Sequence, residues 1–348
     1  MNNPTYKNVH NRFKWNGLHL DALDLSQNAI DFIRDGNDYE KDLGEFILEW
    51  FDEKSFIEVT TSGTTGTPKQ MQINKQAMVN SALATGDFFD ITVGDTALHC
   101  LPVKYIAGKM MFVRGLILGL EMDFVPPSST PLDNNIKEYD FAAMLPLQVQ
   151  NSLPELENIK KVIIGGAKIN ETLRNELLKL DTLVYETYGM TETITHMAAK
   201  KIEDKAFLVL PDVKISQDER GCLVISASRI SEEKIITNDL VELVSENHFL
   251  LLGRIDNVIN SGGVKLIPEH IEEKLSGNIL QRFFAIGIPD ETLGEKLILV
   301  VEGEAETIDS TILEVLDKYE KPKEIRYVPK FKETASGKVM RKETLKLS

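Results

Sequence analysis

Residues 60–69 read TTSGTTGTPK and follow a short β-type apolar run, so they are predicted to form a polar loop after a strand. The two glycines of this loop let the backbone come close to a ligand. Its hydroxyl groups supply short hydrogen-bond donors, and a lysine adds a positive charge. The loop is therefore predicted to bind phosphate oxygens, through Thr61, Ser62, Gly63, Thr64, Thr65, Gly66 and Lys69.

The loop differs from the Walker pattern GxxxxGK[ST], in which lysine directly follows the second glycine. In this chain Thr67 and Pro68 stand between that glycine and Lys69. The segment KQAMVNSALATGDFF, with Asn74 as its N-cap, predicts a helix just beyond the loop, whose N-terminus would favour an anion. For the loop alone, a surface turn rich in serine, threonine and glycine stays open as the alternative.

Length and composition are those of an ordinary soluble globular protein. The 348 residues suffice for two domains, with 42% hydrophobic and 27% charged residues. The formal net charge of -15 argues against a surface for nucleic acid or anionic membranes, but not against a small anionic ligand. Cys100 and Cys222 have no partners at metal-ligand spacing, and neither a signal peptide nor a membrane span is predicted. Together these features predict a cytoplasmic protein.

Strand and helix patterns alternate up to about residue 190, which predicts an α/β fold with a mostly parallel sheet. Short β-rich runs from about residue 206 predict a small antiparallel subdomain. After Arg254 the runs IPEHIEEKLS, FFAIGIP, KLILVVEG, STILEVLDKYEKP and EIRYVP predict a helix, two strands, a helix ended by Pro322 and a strand. We therefore predict a large domain over residues 1–254 and a small α+β domain over residues 255–348.

Five further motifs follow the loop in order: IIGGAKI from Ile163, YETYGMTET from Tyr185, TNDLVEL from Thr237, GRIDNVINSGGVKLIPEHIE from Gly253 and ASGKVMR from Ala335. With TSGTTGTPK they resemble the adenylate-forming superfamily of acyl-CoA ligases, luciferases and peptide-synthetase adenylation domains. The resemblance covers residues 56–348, so the family's N-terminal subdomain is shortened here. It implies a large lobe, a small mobile C-terminal lobe, and ATP, Mg²⁺ and coenzyme A as reactants.

The resemblance also implies roles for the nucleotide-binding residues. The phosphate loop would hold the β- and γ-phosphates, Thr191 the α-phosphate, and Glu192 the metal ion, for which its hard oxygen is suited. A backbone wall and a stacked ring would bind adenine, formed by Gly165, Gly166, Ala167 and Tyr188. For Glu192 alone, a carboxylate beside a helix start is the alternative.

Ribose would be bound by Asp239, which can accept both hydroxyls, and by Arg254, which can donate to the same sugar. Taken alone, the two would more often form a surface ion pair. Asn238 stands where the family usually has glycine, and asparagine tolerates a left-handed turn, so we expect that turn to be kept.

The small lobe would carry the catalytic cation, Lys338, because phosphoryl transfer spreads negative charge that a positioned ammonium stabilises. A solvated lysine in a basic tail is the alternative. By resemblance, the lobe then turns about a hinge at Asp256 and brings a coenzyme A segment to the adenylate. That segment comprises Ser261, Gly262, Gly263 and Lys265.

Residues 101–122, LPVKYIAGKMMFVRGLILGLEM, are most similar to the o-succinylbenzoate:CoA ligase branch of the superfamily, which serves menaquinone biosynthesis. Tyr105 and Ala107 depart from that branch, where histidine and serine are usual. A second substrate carboxylate would need a cation. The candidate acid-binding residues are Lys104, Tyr105, Lys109, Arg114 and Gly189. For the three cations the alternative is that they bind no ligand, because long charged side chains on an apolar helix often extend to solvent.

Two other functions stay open at this stage. A CoA ligase for a medium-chain fatty or aryl acid would use the same machinery with an apolar pocket. A nucleotide-binding partner protein without turnover would have no need for Lys338.

Overall fold

The structure is a computed structural model that describes residues 4–60, 70–133, 135–304, 308, 310–334 and 339–347. Its α-helices are α1 (Ala22–Asp35), α2 (Asp38–Phe51), α3 (Lys75–Phe89), α4 (Ile106–Leu118), α5 (Pro146–Asn151), α6 (Glu171–Leu177), α7 (Pro268–Leu275) and α8 (Arg341–Leu345). Short 3₁₀ helices span Leu153–Asn158, Thr191–Thr193, Ile255–Asn257 and Ser310–Val315. None of the helices in these ranges has the length and apolar character that crossing a membrane requires.

The first nine strands include the parallel strands of the large sheet. They are β1 (Lys14–Trp15), β2 (Leu18–His19), β3 (Phe56–Thr60), β4 (Gln70–Asn74), β5 (Thr96–His99), β6 (Glu121–Phe124), β7 (Tyr139–Met144), β8 (Ile159–Ile164) and β9 (Leu183–Gly189). Of these, β3 and β4 form a separate two-stranded antiparallel sheet. Pairing is parallel from β1 through β6, β5, β7 and β8 to β9. The α/β fold predicted from the sequence is confirmed.

The later strands form the antiparallel section and a second sheet. They are β10 (His196–Lys201), β11 (Phe207–Val209), β12 (Lys214–Gln217), β13 (Cys222–Ser226), β14 (Ile235–Leu243), β15 (His248–Arg254), β16 (Ile259–Ser261), β17 (Val264–Leu266), β18 (Phe283–Asp290), β19 (Gly294–Glu302) and β20 (Glu324–Val328). The antiparallel section continues the parallel strands in one 13-stranded sheet, whose order ends β8-β9-β10-β11-β15-β14-β13-β12. Strands β16 to β20 form a separate five-stranded sheet.

The antiparallel section curls back on itself. Four strand spacings separate β9 from β14 along the sheet, which is about 19 Å in a flat sheet. Yet the hydroxyl of Tyr188 on β9 lies 2.6 Å from Oδ2 of Asp239 on β14. The strands wrap around one shared core, in which Tyr188 packs with Phe207, Val241 and Phe249. The curl therefore brings two residues that are remote along the sheet into contact.

The N-terminal segment covers one end of the large sheet. Strand β1 pairs with β6, and β2 lies beyond β1 as the edge strand of the sheet. Trp15 stacks on Phe124 with ring centroids 4.1 Å apart. Helix α2 buries an apolar stripe, with Leu43, Phe46, Ile47 and Trp50 inside and Phe51 partly buried. This short segment thus gives the core its own cover.

Two details differ from the sequence-based prediction. The polar loop does not lead directly into a helix, because β4 follows it and pairs antiparallel with β3 over the register Thr60↔Gln70. Helix α3 begins only after β4, although Asn74 caps it as predicted, by accepting from the amide of Ala77. The predicted helix ending at Pro322 is reduced to the 3₁₀ helix Ser310–Val315.

Candidate active site

The carboxyl ends of β8 and β9 are neighbours, and ligands of parallel α/β sheets bind at this edge. Gly165 and Gly166 follow directly after β8. A Cβ on Gly165 would lie 2.7 Å from Oγ1 of Thr187, and Gly166 has a φ of +86°. Both positions therefore favour glycine, and the backbone from Gly165 to Ala167 lies at the edge where the adenine wall is predicted.

The segment after β9 makes a tight and strained turn. A Cβ on Gly189 would overlap the carbonyl oxygen of Thr195, so the chain folds back against its own strand. Ile194 has a φ of +67°, which is costly for a β-branched residue, and such strain concentrates at functional sites. Within the turn, Glu192 is exposed and Thr191 is half-buried.

One carboxylate and one tyrosine hydroxyl meet inside the curl. Tyr188 is 7% exposed, and its ring packs at 5.3 Å against Phe249. Its hydroxyl donates to Asp239 at 2.6 Å, and burial followed by the nearby carboxylate raises the pKa of Tyr188. Stacking of adenine on this ring remains a prediction, and the structure adds that Tyr188 holds Asp239.

The predicted ribose residues lie opposite each other, because the register of β14 and β15 pairs Asp239 with Arg254. Nη1 of Arg254 is 3.3 Å from Oδ1 of Asp239, and Nη2 is 2.7 Å from Oδ2 of Asp256. The hydrogen bond from Arg254 lowers the pKa of Asp256. The guanidinium thus links the predicted sugar site to the predicted hinge.

Asn238 does not occupy the left-handed turn that we expected. It lies within β14, and it is absent from the non-glycine residues of positive φ in the described ranges. Its amide nitrogen lies 3.2 and 3.3 Å from the two carboxylate oxygens of Asp256. The strand therefore continues through this position, and the expected turn is not formed there.

A buried arginine lies in the middle of α4. Arg114 is 1% exposed, and its guanidinium donates to Oγ1 of Thr85 at 3.4 Å and to Oγ1 of Thr195 at 3.1 Å. No carboxylate in the described ranges forms an ion pair with it, and burial lowers its pKa to about 9. The guanidinium therefore stays charged at neutral pH without an anionic partner.

The other acid-binding candidates have different surroundings. Lys109 is buried, lies over the ring of Phe46 at 4.1 Å, and approaches Oε2 of Glu49 at 3.7 Å. The ammonium group of Lys109 thus already has partners on α2, namely the ring of Phe46 and the carboxylate of Glu49. Lys104 and Tyr105 are exposed at the start of α4. Of the three cations, only Arg114 combines burial with a free charge.

The phosphate-loop residues 61–69 and the predicted catalytic Lys338 lie outside the described residues. Their flanks are described. The strand pair Thr60↔Gln70 closes the base of the first loop, and a bridge between Glu333 and Val339 closes the base of the second. Just beyond, Arg341 donates to Glu272 on α7 at 2.7 and 2.9 Å, which ties this C-terminal segment to the small sheet's helix.

The predicted hinge residue lies between the two sheets, and the predicted coenzyme A residues lie in the small sheet. Asp256 belongs to the 3₁₀ turn between β15 and β16. Gly262 and Gly263, with φ of +58° and +83°, form the two-residue turn between β16 and β17, beside Ser261. The geometry of this turn is enough to explain the two glycines. Their contact with coenzyme A therefore stays a prediction. The role of Lys265 and the division into two domains also stay predictions.

The donor set near the strained turn fits Mg²⁺ in a substrate complex. The described ranges hold no cluster of three or more His, Cys, Asp or Glu side chains that could bind a metal. Mg²⁺ commonly takes one or two carboxylates and completes its shell with water and substrate phosphates. One exposed carboxylate, Glu192, is therefore sufficient on the protein side.

Three residues of the site were not predicted. Thr195 and His196 lie two and three residues after the end of the motif YGMTET, so their position close to it was a usable signal. Thr85 is a buried hydroxyl in α3, which nothing in the sequence distinguishes. All three surround Arg114.

Comparison with known proteins gives concordant matches. The family model described as AMP-binding enzyme matches residues 56–219. The 2-succinylbenzoate–CoA ligase of Lactococcus lactis is 25% identical over 327 residues, covering 84% of this chain and 71% of that protein. The chain spans 59 to 71% of the length of this and other curated ligases of the same name.

Among solved structures, an acyl-CoA synthetase (AMP-forming)/AMP-acid ligase II-like protein from Dyadobacter fermentans is 35% identical. The match has a TM-score of 0.62 and covers 93% of this chain and 98% of that one. The o-succinylbenzoate CoA synthetase of Bacillus subtilis, in complex with the acyl-adenylate intermediate, has a TM-score of 0.73 at 20% identity. Its match covers 82% of this chain and 68% of that one, and it supports the fold.

Proposed function

This chain belongs to the AMP-binding enzymes, the AMP-forming ligases of acids and coenzyme A, and we propose that its acid is o-succinylbenzoate, a precursor in menaquinone biosynthesis. The observation that carries the proposal is the buried charge of Arg114, which lacks an anionic partner in the described ranges. An unpaired buried charge is costly. A substrate with a second carboxylate supplies the missing anion.

The proposed first step joins the acid to AMP. A carboxylate oxygen of the acid attacks the α-phosphorus of ATP, and pyrophosphate leaves. Asp239 and Arg254 hold the ribose, and Thr191 donates to the α-phosphate. Glu192 would hold Mg²⁺, which supplies positive charge to the phosphates. Lys338 stabilises the charge that develops at phosphorus.

The proposed second step transfers the acyl group. The thiolate of coenzyme A attacks the carbonyl carbon of the acyl-adenylate, the bond to the phosphate oxygen breaks, and AMP leaves. No protein side chain needs to act as a nucleophile. The turn at Gly262 and Gly263 is our candidate for the segment that approaches the pantetheine arm.

A panel of acids tests the substrate. Purified protein with ATP, Mg²⁺ and coenzyme A is expected to release pyrophosphate and AMP fastest with o-succinylbenzoate. The panel includes a medium-chain fatty acid and an aryl monocarboxylic acid, which represent the alternative ligases. If one of those is used and o-succinylbenzoate is not, the proposed substrate is wrong. If ATP binds and no acid is turned over, the chain is instead a nucleotide-binding protein without catalysis.

Replacing Arg114 with methionine is expected to have opposite effects on stability and on substrate binding. The variant removes a buried charge and keeps the volume, so its Tm should be equal or higher. The KM for o-succinylbenzoate should rise about 10- to 100-fold, because a charged hydrogen bond to the second carboxylate is lost. The KM for a monocarboxylic acid should change little. An equal rise for both acids would reduce Arg114 to a packing role.

A further inference from the structure

Four side chains form a closed ring of hydrogen bonds around Arg114. Its Nε and Nη2 donate to the hydroxyls of Thr85 and Thr195, at 3.4 and 3.1 Å. The imidazole of His196 connects the same two hydroxyls, with Nε2 3.2 Å from Thr85 and Nδ1 3.4 Å from Thr195. The ring joins α4, α3 and the segment after the strained turn.

The pattern assigns the proton of His196 to Nε2. The hydroxyl of Thr85 donates its one proton to the carbonyl oxygen of Ser81 at 2.9 Å, so it can only accept from Arg114 and from the imidazole. Nε2 must therefore be the donor, and Nδ1 accepts from Thr195, whose oxygen accepts from Arg114. Every group of the ring then has a consistent role, and the imidazole is neutral.

Because the imidazole of His196 is neutral, it leaves the charge of the Arg114 guanidinium uncompensated. A carboxylate at position 196 would fix Arg114 equally well, but it would also neutralise its charge. Histidine spans the two hydroxyls as one donor and one acceptor, and it leaves the positive charge free for a ligand. Burial and the charge of Arg114 lower the pKa of His196 well below its ordinary value. His196 also lines a cavity of about 20 Å³ with Asp212 and Arg229, which pair with each other at 3.1 Å.

We propose that His196 is a positioning residue: through Thr85 and Thr195 it fixes the guanidinium of Arg114 in the orientation that binds the second carboxylate of the substrate. The inference rests on the proposed function, since it assumes that Arg114 meets a dicarboxylic acid. It assigns substrate selectivity to a residue that does not itself touch the substrate.

The test replaces His196 with phenylalanine. This change keeps an aromatic side chain that can make the edge contact with Phe89, at 5.6 Å in the wild type, but it removes both nitrogen atoms and so opens the ring of hydrogen bonds. We expect the KM for o-succinylbenzoate to rise about tenfold, because a freed guanidinium loses part of its binding geometry. The kcat, the KM for ATP and the KM for a monocarboxylic acid should stay near those of the wild type. His196→Gln, whose amide offers one donor and one acceptor, should restore most of the affinity.

Thr195→Val provides a second variant that removes one hydroxyl of the ring at nearly constant volume. It should raise the same KM selectively, and it keeps the proposal testable if His196→Phe does not fold. An unchanged KM for o-succinylbenzoate in both variants would overturn the inference, as would an equal loss with all acids.

Failure of the inference is distinguishable from failure of the proposed function. If the wild-type protein does not use o-succinylbenzoate, the proposed function fails before any variant is compared. If the wild-type protein uses o-succinylbenzoate, and Arg114→Met raises the KM for it while His196→Phe and Thr195→Val do not, only the role of His196 is wrong.

Discussion

Replacing Lys338 with alanine is expected to slow acyl-adenylate formation by about 100- to 1000-fold, the range typical of losing a group that stabilises charge in the transition state. The second half-reaction should be nearly unaffected, because no phosphoryl transfer occurs in it. The measurement is pyrophosphate release for the first step, and thioester formation from chemically prepared acyl-adenylate and coenzyme A for the second.

A matched control is available in the same C-terminal segment. Lys346 is exposed and pairs with Glu343, so Lys346→Ala removes a lysine without touching the predicted site. It should leave both half-reactions unchanged. Equal loss of both half-reactions in Lys338→Ala would contradict a role confined to adenylate formation. The bidentate pairing of Arg341 with Glu272 gives that segment a fixed base, which such a role requires.

Replacing Asp239 with alanine is expected to lower kcat/KM for ATP by about 100-fold or more, because two hydrogen bonds from ribose to a carboxylate are lost. The same variant should also be less stable. It leaves the buried hydroxyl of Tyr188 without its acceptor, at a cost of about 1–3 kcal/mol. Steady-state kinetics and thermal unfolding measure the two effects separately.

The double variant Tyr188→Phe/Asp239→Ala separates binding from packing. Phenylalanine removes the orphaned hydroxyl, so most of the stability should return, whereas kcat/KM for ATP should stay low. Glu242→Ala, at an exposed carboxylate on the same strand, is the control and should change neither quantity. Recovery of ATP use in the double variant would show that Asp239 acts only by holding Tyr188.

Elements with a strong local pattern could be predicted from the sequence. The cap at Asn74 and the strand runs after residue 206 both appear where the sequence places them. The pairing of Asp239 with Arg254 follows from one short hairpin, so motif order sufficed to suggest it. These features depend on residues close together in the chain.

Features that depend on distant residues could not be predicted. The run before Pro322 has helical spacing, but Lys274 binds Asp317 at 2.9 Å and Glu320 at 2.6 Å, and these contacts accompany a turn in place of a longer helix. The ring around Arg114 joins residues 29 and 81 positions away from it. Local propensity is a weak guide where tertiary contacts of this kind decide.

The curl of the large sheet makes some core positions sensitive to substitution even though they lie outside the predicted nucleotide contacts. Tyr188 and Asp239 touch only while the intervening strands keep their curvature around the shared core. Ala198 belongs to that core and is fully buried, so a larger side chain there would have to displace its neighbours. A deep mutational scan should therefore find substitutions at Ala198 as poorly tolerated as substitutions of the predicted nucleotide contacts.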